Sequence, residues 1–337
     1  MIIVMKPGVE QAEIDALLGR IEAAGLKPLH MPGSERVVLG ALGDERVLAA
    51  MGIEAHPGVE SVKPILEPYK LAGRDLHPHD TVVDIGGVKL GGTRFVIIAG
   101  PCAVESEAQL VASAEAAKAG GARILRAGAY KARTGPYSVQ GMGAEALDLL
   151  AAVGRDLGMP VVTEVVETAD VERVARHADV LQVGARNMQN FALLTALGGT
   201  GKPVIMERGP AARVEDMLLA AEYILAAGND QLLLCERGIR TFETATRNTL
   251  DLSAVPVLKA KSHLPVIVDP SHGTGKRELV APMALAAAAA GADGVMVEVH
   301  FDPPTAISDG PQSLFPDQME ALGQRMGALL EVLGRPL

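Results

Sequence analysis

Hydrophobic and polar positions divide the chain into two regimes. In the first 65 residues, Met1–Met5, Leu29–Met31, Val37–Leu42 and Val59–Ile65 are short apolar runs that read as strands. Gly8–Gly25 reads as a helix, because Ile14, Leu17, Leu18 and Ile21 recur at the three- and four-residue spacing of one buried face. Asp44–Met51 reads as a shorter helix. The order βαββαβ is that of a ferredoxin-like domain over residues 1–65, a module suited to binding a small ligand or docking on a neighbour. Its polar residues form no catalytic constellation. Residues 66–93 are rich in Pro, Gly, Asp and His and read as a linker with a hairpin turning at Gly86–Gly87. His77 and His79, either side of Pro78, read as a solvated turn.

Residues 94–337 change to a regular alternation. Apolar runs stand at Phe95–Ala99, Ile124–Arg126, Val161–Val165, Val180–Val183, Val204–Met206, Leu232–Cys235, Val266–Val268 and Val295–Val299. Ala-rich helical patterns such as Ala108–Ala119, Ala144–Leu157, Val214–Ala227 and Glu278–Ala290 separate them. Eight continuously apolar strands alternating with helices predict an α/β fold, a (β/α)8 TIM barrel. No dinucleotide fingerprint follows the first strand. SHGTGKR is not a phosphate-binding P-loop, since Pro270 stands where its first Gly is required.

Composition narrows the function. Hydrophobic residues make up 48% of the 337 and charged residues 21%, enough for a sizeable core. Aromatics are 3% with no Trp, which argues against a base-stacking nucleic-acid binder. The net charge of −10 disfavours nucleic acid and acidic membranes as partners, so an anionic substrate needs a local cationic pocket. Two Cys rule out a disulfide scaffold. The apolar stretch Leu279–Ala290 falls short of the ~20 residues that span a bilayer, and MIIVMKPGVE does not read as a signal peptide. The expectation is a cytoplasmic protein.

In a barrel of this kind the active site forms where strands end. Those positions carry Cys102 and Glu105; Arg126, Lys131 and Arg133; Glu164; Arg186; Glu207 and Arg208; Arg237; Asp269 and His272; and Glu298, His300 and Asp309. The cations cluster on the second, fourth and sixth barrel strands and predict recognition of phosphate and carboxylate. Cys102, His272, Glu298 and Asp309 come from strands that become neighbours on closure. One thiolate, one imidazole and two carboxylates suit a single divalent ion of the Mn, Fe, Co or Zn type better than Mg or Ca. His300, two residues after Glu298, shares its strand face and reads as a supporting group. Cys235 reads as a buried apolar residue.

AGPCAVES, GAYKART, GARNMQN, CERGIRTFE, DPSHGTGKR and AISDGPQSL occur in this order along the chain. Together they closely resemble the 3-deoxy-D-arabino-heptulosonate 7-phosphate (DAHP) synthases that carry an N-terminal ferredoxin-like domain. The resemblance covers essentially the whole chain. It implies condensation of phosphoenolpyruvate with erythrose 4-phosphate, the first step of aromatic amino-acid synthesis. It places the metal ligands on Cys102, His272, Glu298 and Asp309, and phosphoenolpyruvate on Arg126, Lys131, Ala185, Arg186 and Arg237. Lys131, Arg133 and Thr134 would hold erythrose 4-phosphate. Catalytic roles fall to Lys131, Glu164 and His272: after carbon–carbon bond formation, water adding to C2 is positioned by Glu164 or deprotonated near Lys131. The resemblance also implies feedback inhibition by Tyr or Phe bound to residues 1–65, and a homotetramer.

Two departures stand out. The family commonly reads KPRTS where this chain has KARTG, and it usually has a Lys at the position of Glu207. That Lys helps hold phosphoenolpyruvate, so Glu207 is not counted as a binding residue. Two other readings stay open: a related synthase using arabinose 5-phosphate, and a catalytically weakened sensing paralogue.

Overall fold

The computed structural model describes residues 1–32, 36–65, 67–131, 137 and 141–337. The chain divides into two compact units, Met1–Pro78 and His79–Leu337.

In the first unit, β1 (Ile2–Met5), β2 (Lys27–Pro32), β3 (Val37–Leu42) and β4 (Val59–Lys63) form an antiparallel sheet in the order β2-β3-β1-β4. Helix α1 (Gln11–Ala23) follows β1, and α2 (Glu45–Ala50) with a 3-10 turn at Ile53–Ala55 leads into β4. This is the expected ferredoxin-like order. The helical spacing in α1 buries Ile14, Leu17 and Ile21 together with Ile3, Met5, Leu39 and Ala41. Leu17 has no exposed surface, so truncating it to Ala costs about 2–5 kcal/mol.

The second unit opens with a hairpin, β5 (Val83–Ile85) and β6 (Val88–Leu90). Its turn residues Gly86 and Gly87 have φ of 57° and 88°, the left-handed pair that a two-residue hairpin of matching twist demands. Val83, Ile85 and Leu90 pack in one cluster with residues near the starts of the barrel strands, such as Val96, Ile124, Val162 and Val180, so the hairpin closes that end.

The barrel strands are β7 (Val96–Gly100), β8 (Ile124–Arg126), β9 (Val161–Glu164), β10 (Val180–Val183), β11 (Val204–Glu207), β12 (Leu232–Glu236), β13 (Val266–Val268) and β14 (Gly294–Glu298). Every neighbouring pair is parallel, and β14 pairs back onto β7 to close the ring. The outer helices are α3 (Glu107–Ala119), α4 (Ala144–Leu157), α5 (Val171–His177), α6 (Phe191–Gly198), α7 (Val214–Ala226), α8 (Ala254–Lys261), α10 (Arg277–Ala289) and α11 (Pro316–Val332). A short helix, α9 (Pro270–Thr274), caps the end of β13. Among the described residues, no helix is long and apolar enough to cross a membrane.

The strand period of two decides what the barrel interior presents. Ile98, Ile124, Val162, Val180, Ile205, Ile267 and Met296 share the inner cluster. Two residues further on, the same inward parity reaches Gly100, Arg126, Glu164, Gln182, Glu207, Asp269 and Glu298. The interior is therefore apolar below and polar at its C-terminal mouth, where five charged side chains stand with Gln182 and Gly100. Cys235 lies in the apolar part, fully buried, as its sequence context predicts.

Candidate active site at the barrel mouth

The local sequence at the end of β13 orients one imidazole. Asp269 is the N-cap of α9 and Pro270 its first residue, an arrangement that starts a helix abruptly. Asp269 Oδ1 accepts the backbone N–H of His272 at 2.8 Å, and its Oδ2 lies 2.6 Å from His272 Nδ1. Nε2 is thereby turned the other way, to 3.2 Å from Glu298 Oε1 and 3.6 Å from Asp309 Oδ2. Cys102 Sγ stands 3.3 Å from Asp309 Oδ2. One ligand atom from each of Cys102, His272, Glu298 and Asp309 lies within 4.8 Å of the others.

The electrostatics of this cluster call for a cation. Burial alone would keep His272 neutral, yet Asp269 and Glu298 outweigh it and push the imidazole up to about 10. Burial also works against the charge on Asp309, but His272 and Arg247 hold its carboxyl down at about 2. Asp309 takes φ 55°, the left-handed region, a conformation a non-glycine adopts at some cost and that surrounding structure must impose. A sulfur, an imidazole nitrogen and two carboxylates converging on one point fit a borderline divalent ion. His300 faces elsewhere: its Nε2 lies 3.5 Å from Glu105 Oε1.

Beside this cluster the cations converge. Arg126, Lys131, Glu164, Ala185, Arg186, Arg237, His272 and Asp309 line one cavity, together with Gly184, Glu207 and Arg247. Arg126 joins the two halves: Nη1 donates to Glu298 Oε1 at 3.0 Å, and Nε to Gln182 Oε1 at 3.2 Å. Burial opposes its charge, but Glu298 and Cys102 more than restore it. Lys131 Nζ donates to the Cys102 carbonyl at 2.9 Å, where Gly128 leaves room: a Cβ there would meet Lys131 Cδ at 2.6 Å. Gly184 serves Glu164 likewise, since a Cβ would stand 2.1 Å from Glu164 Oε1. Burial pushes the Glu164 carboxyl above the usual carboxylate range, although Lys131 pulls it back. Burial, Arg237 and Arg247 lower Arg186.

Glu207 points inward. Its Oε1 accepts from Gln182 Nε2 at 2.5 Å, its Oε2 accepts the Ala185 backbone N–H at 2.8 Å, and Arg237 Nε lies 3.5 Å from Oε2. Arg208, its chain neighbour, turns away to Glu236 at 2.8 Å and Asp251 at 3.0 Å. Of the residues expected from sequence, Arg133 and Thr134 lie outside the described residues. Three participants were not foreseen. Inward parity alone marks Gln182. Arg247, 3.3 Å from Asp309 and 3.1 Å from Gln312 Oε1, and Gln312, which donates to Glu298 Oε2 at 2.6 Å, sit on loops that carry no periodic signal.

The DAHP synthetase I family matches residues 80–333, and the DAHP synthase ferredoxin-like domain matches residues 1–67. A phospho-2-dehydro-3-deoxyheptonate aldolase of Thermotoga maritima is 49% identical over 334 residues, 99% of this chain and 99% of its own. The crystal structure of the Thermotoga maritima phospho-2-dehydro-3-deoxyheptonate aldolase (DAHP synthase) superposes with a TM-score of 0.79 at 48% identity, covering 99% of this chain and 98% of that one. A 2-dehydro-3-deoxyphosphooctonate aldolase of Syntrophobacter fumaroxidans is 34% identical, over 72% of this chain and 90% of its own.

Proposed function

The chain belongs to the DAHP synthetase I family and condenses phosphoenolpyruvate with erythrose 4-phosphate; from that premise we propose which of its residues carry the reaction. The observation that supports the assignment is the shared cavity, in which the cations Arg126, Lys131, Arg186 and Arg237 stand beside His272 and Asp309 of the four-residue cluster.

Arg126, Lys131, Arg186, Arg237 and the Ala185 N–H hold phosphoenolpyruvate, with guanidinium forks matched to its planar carboxylate and its phosphate oxygens. Lys131, Arg133 and Thr134 hold erythrose 4-phosphate. Cys102, His272, Glu298 and Asp309 hold one divalent ion, of the Mn, Fe, Co or Zn type, which when bound supplies Lewis acidity toward the aldehyde. C3 of phosphoenolpyruvate attacks the aldehyde carbon, and positive character develops at C2. Water positioned by Glu164, or deprotonated near Lys131, adds at C2, and the proton it loses balances the one taken up by the former aldehyde oxygen as it becomes a hydroxyl. The C2–O bond then breaks and releases phosphate. Asp269 keeps His272 in the tautomer whose Nε2 faces the cluster.

Residues 1–65 bind an aromatic amino acid, Tyr or Phe, as feedback inhibitor, and the enzyme works in the cytoplasm as a homotetramer. The match of residues 1–67 to the DAHP synthase ferredoxin-like domain supports a regulatory role for that segment. The discriminating test for the acceptor is product formation from erythrose 4-phosphate and from arabinose 5-phosphate under identical conditions. Heptulosonate formation at least tenfold faster is the expected result, and a preference for the pentose overturns it.

A further inference from the structure

Within the cation-lined cavity one anion is already seated. Glu207 is 4% exposed, its backbone is locked in the ladder opposite Cys235, and its carboxylate takes the Ala185 N–H. Arg237 Nε, also beside it, is a buried donor with no hydrogen bond of its own. These are two of the groups that hold phosphoenolpyruvate in the reading above, on which this inference rests. Arg126 and Lys131 are engaged elsewhere, with Glu298, Gln182 and the Cys102 carbonyl.

A ligand anion that reaches the Ala185 N–H and Arg237 meets a carboxylate that is only 4% exposed and already seated on both groups. Two like charges within hydrogen-bond reach in a buried site do not both stay ionised. We propose that phosphoenolpyruvate binds with uptake of one proton, held between the Glu207 carboxylate and the ligand, so that Glu207 links substrate affinity to pH. The proton comes from solvent, and no bond between heavy atoms forms or breaks. The charged and titratable groups facing Glu207 are Arg126 from β8, Glu164 from β9, Arg186 after β10, and Cys235 and Arg237 from β12 and its end. Lys131 and His272 line the same cavity. Glu164 and Asp309 are the other acids lining that cavity, and the neutral variant of Glu207 separates it from both.

The test is calorimetric titration of the metal-loaded enzyme with phosphoenolpyruvate alone, in two buffers of different ionisation heat, at about pH 8 where the free ligand is fully ionised. The parent should take up about one proton per ligand and Glu207→Gln close to none. Parent affinity should weaken by up to about tenfold per pH unit above neutrality, while that of Glu207→Gln stays flat. Glu207→Lys, which puts a donor in the same place, should bind more tightly than the parent without uptake, and it keeps the test open if Glu207→Gln fails to fold. Equal uptake in parent and variants overturns the proposal alone. No phosphoenolpyruvate binding by any of the three overturns the substrate assignment and the proposal with it.

Discussion

Asp269 holds His272 by two of its atoms, the backbone N–H at 2.8 Å and Nδ1 at 2.6 Å, and so decides which ring nitrogen faces Cys102, Glu298 and Asp309. Partners that orient a ligating imidazole are worth about ten- to a hundredfold in metal affinity. Asp269→Asn keeps the shape and the N-cap acceptor but weakens control of the tautomer. Competition against a chelator of known affinity should show metal binding weakened by about that factor, with the circular dichroism spectrum unchanged.

The four candidate ligands differ from the second cysteine in what they touch. Cys102→Ala and His272→Ala should each lose the bound metal and nearly all activity while remaining folded. Cys235→Ala removes a sulfur from the apolar interior of the barrel and should keep both metal and activity, at a stability cost of about 1–2 kcal/mol. Elemental analysis of the purified proteins decides this. A stoichiometric metal in Cys102→Ala contradicts the ligand set.

Much of this was legible along the chain because barrel strands are buried on both faces and read as unbroken apolar runs. The helical face of α1 and the Gly86–Gly87 turn were equally plain. Cys102, His272, Glu298 and Asp309 could be grouped as candidate ligands only because barrel closure makes the first and last strands neighbours. What sequence left out depends on side-chain direction in three dimensions. Gln182 becomes a link between Arg126 and Glu207 only when the barrel is closed. Arg247 and Gln312 reach the site from loops, where no period predicts a direction. Sequence position likewise does not announce the partners that set the inward position of Glu207, which are the Ala185 N–H, Gln182 and Arg237.

Glu164 gives a stability prediction with a definite sign. Burial raises its carboxyl above the unfolded value, so the native state holds this proton more tightly than the unfolded chain. That contribution is complete below the ordinary carboxylate range and is lost as pH rises through the raised value. Glu164→Gln carries no such loss. Scanning calorimetry should find the midpoint of the variant rising relative to the parent as pH is raised above the ordinary carboxylate range. A constant difference contradicts the burial argument. Activity of the variant should fall by about 100-fold or more, as expected for a group that positions a reacting water.

Feedback regulation is testable by comparing the full chain with one that starts near Leu71. The full chain should be inhibited by Tyr or Phe and the shortened chain should be active but insensitive to both. Equal inhibition of the two refutes a regulatory role for residues 1–65.

In the proposed reaction the cation-lined cavity and the four-residue cluster work as one metal-dependent site for joining phosphoenolpyruvate to erythrose 4-phosphate. Its most direct test is phosphoenolpyruvate consumption by the same preparation before chelation, after EDTA treatment and removal of the chelator, and after adding back Mn2+. The expected result is one heptulosonate and one phosphate per phosphoenolpyruvate consumed, activity abolished in the stripped enzyme, and recovery on adding the metal. Undiminished condensation by enzyme shown by elemental analysis to be metal-free would contradict the account.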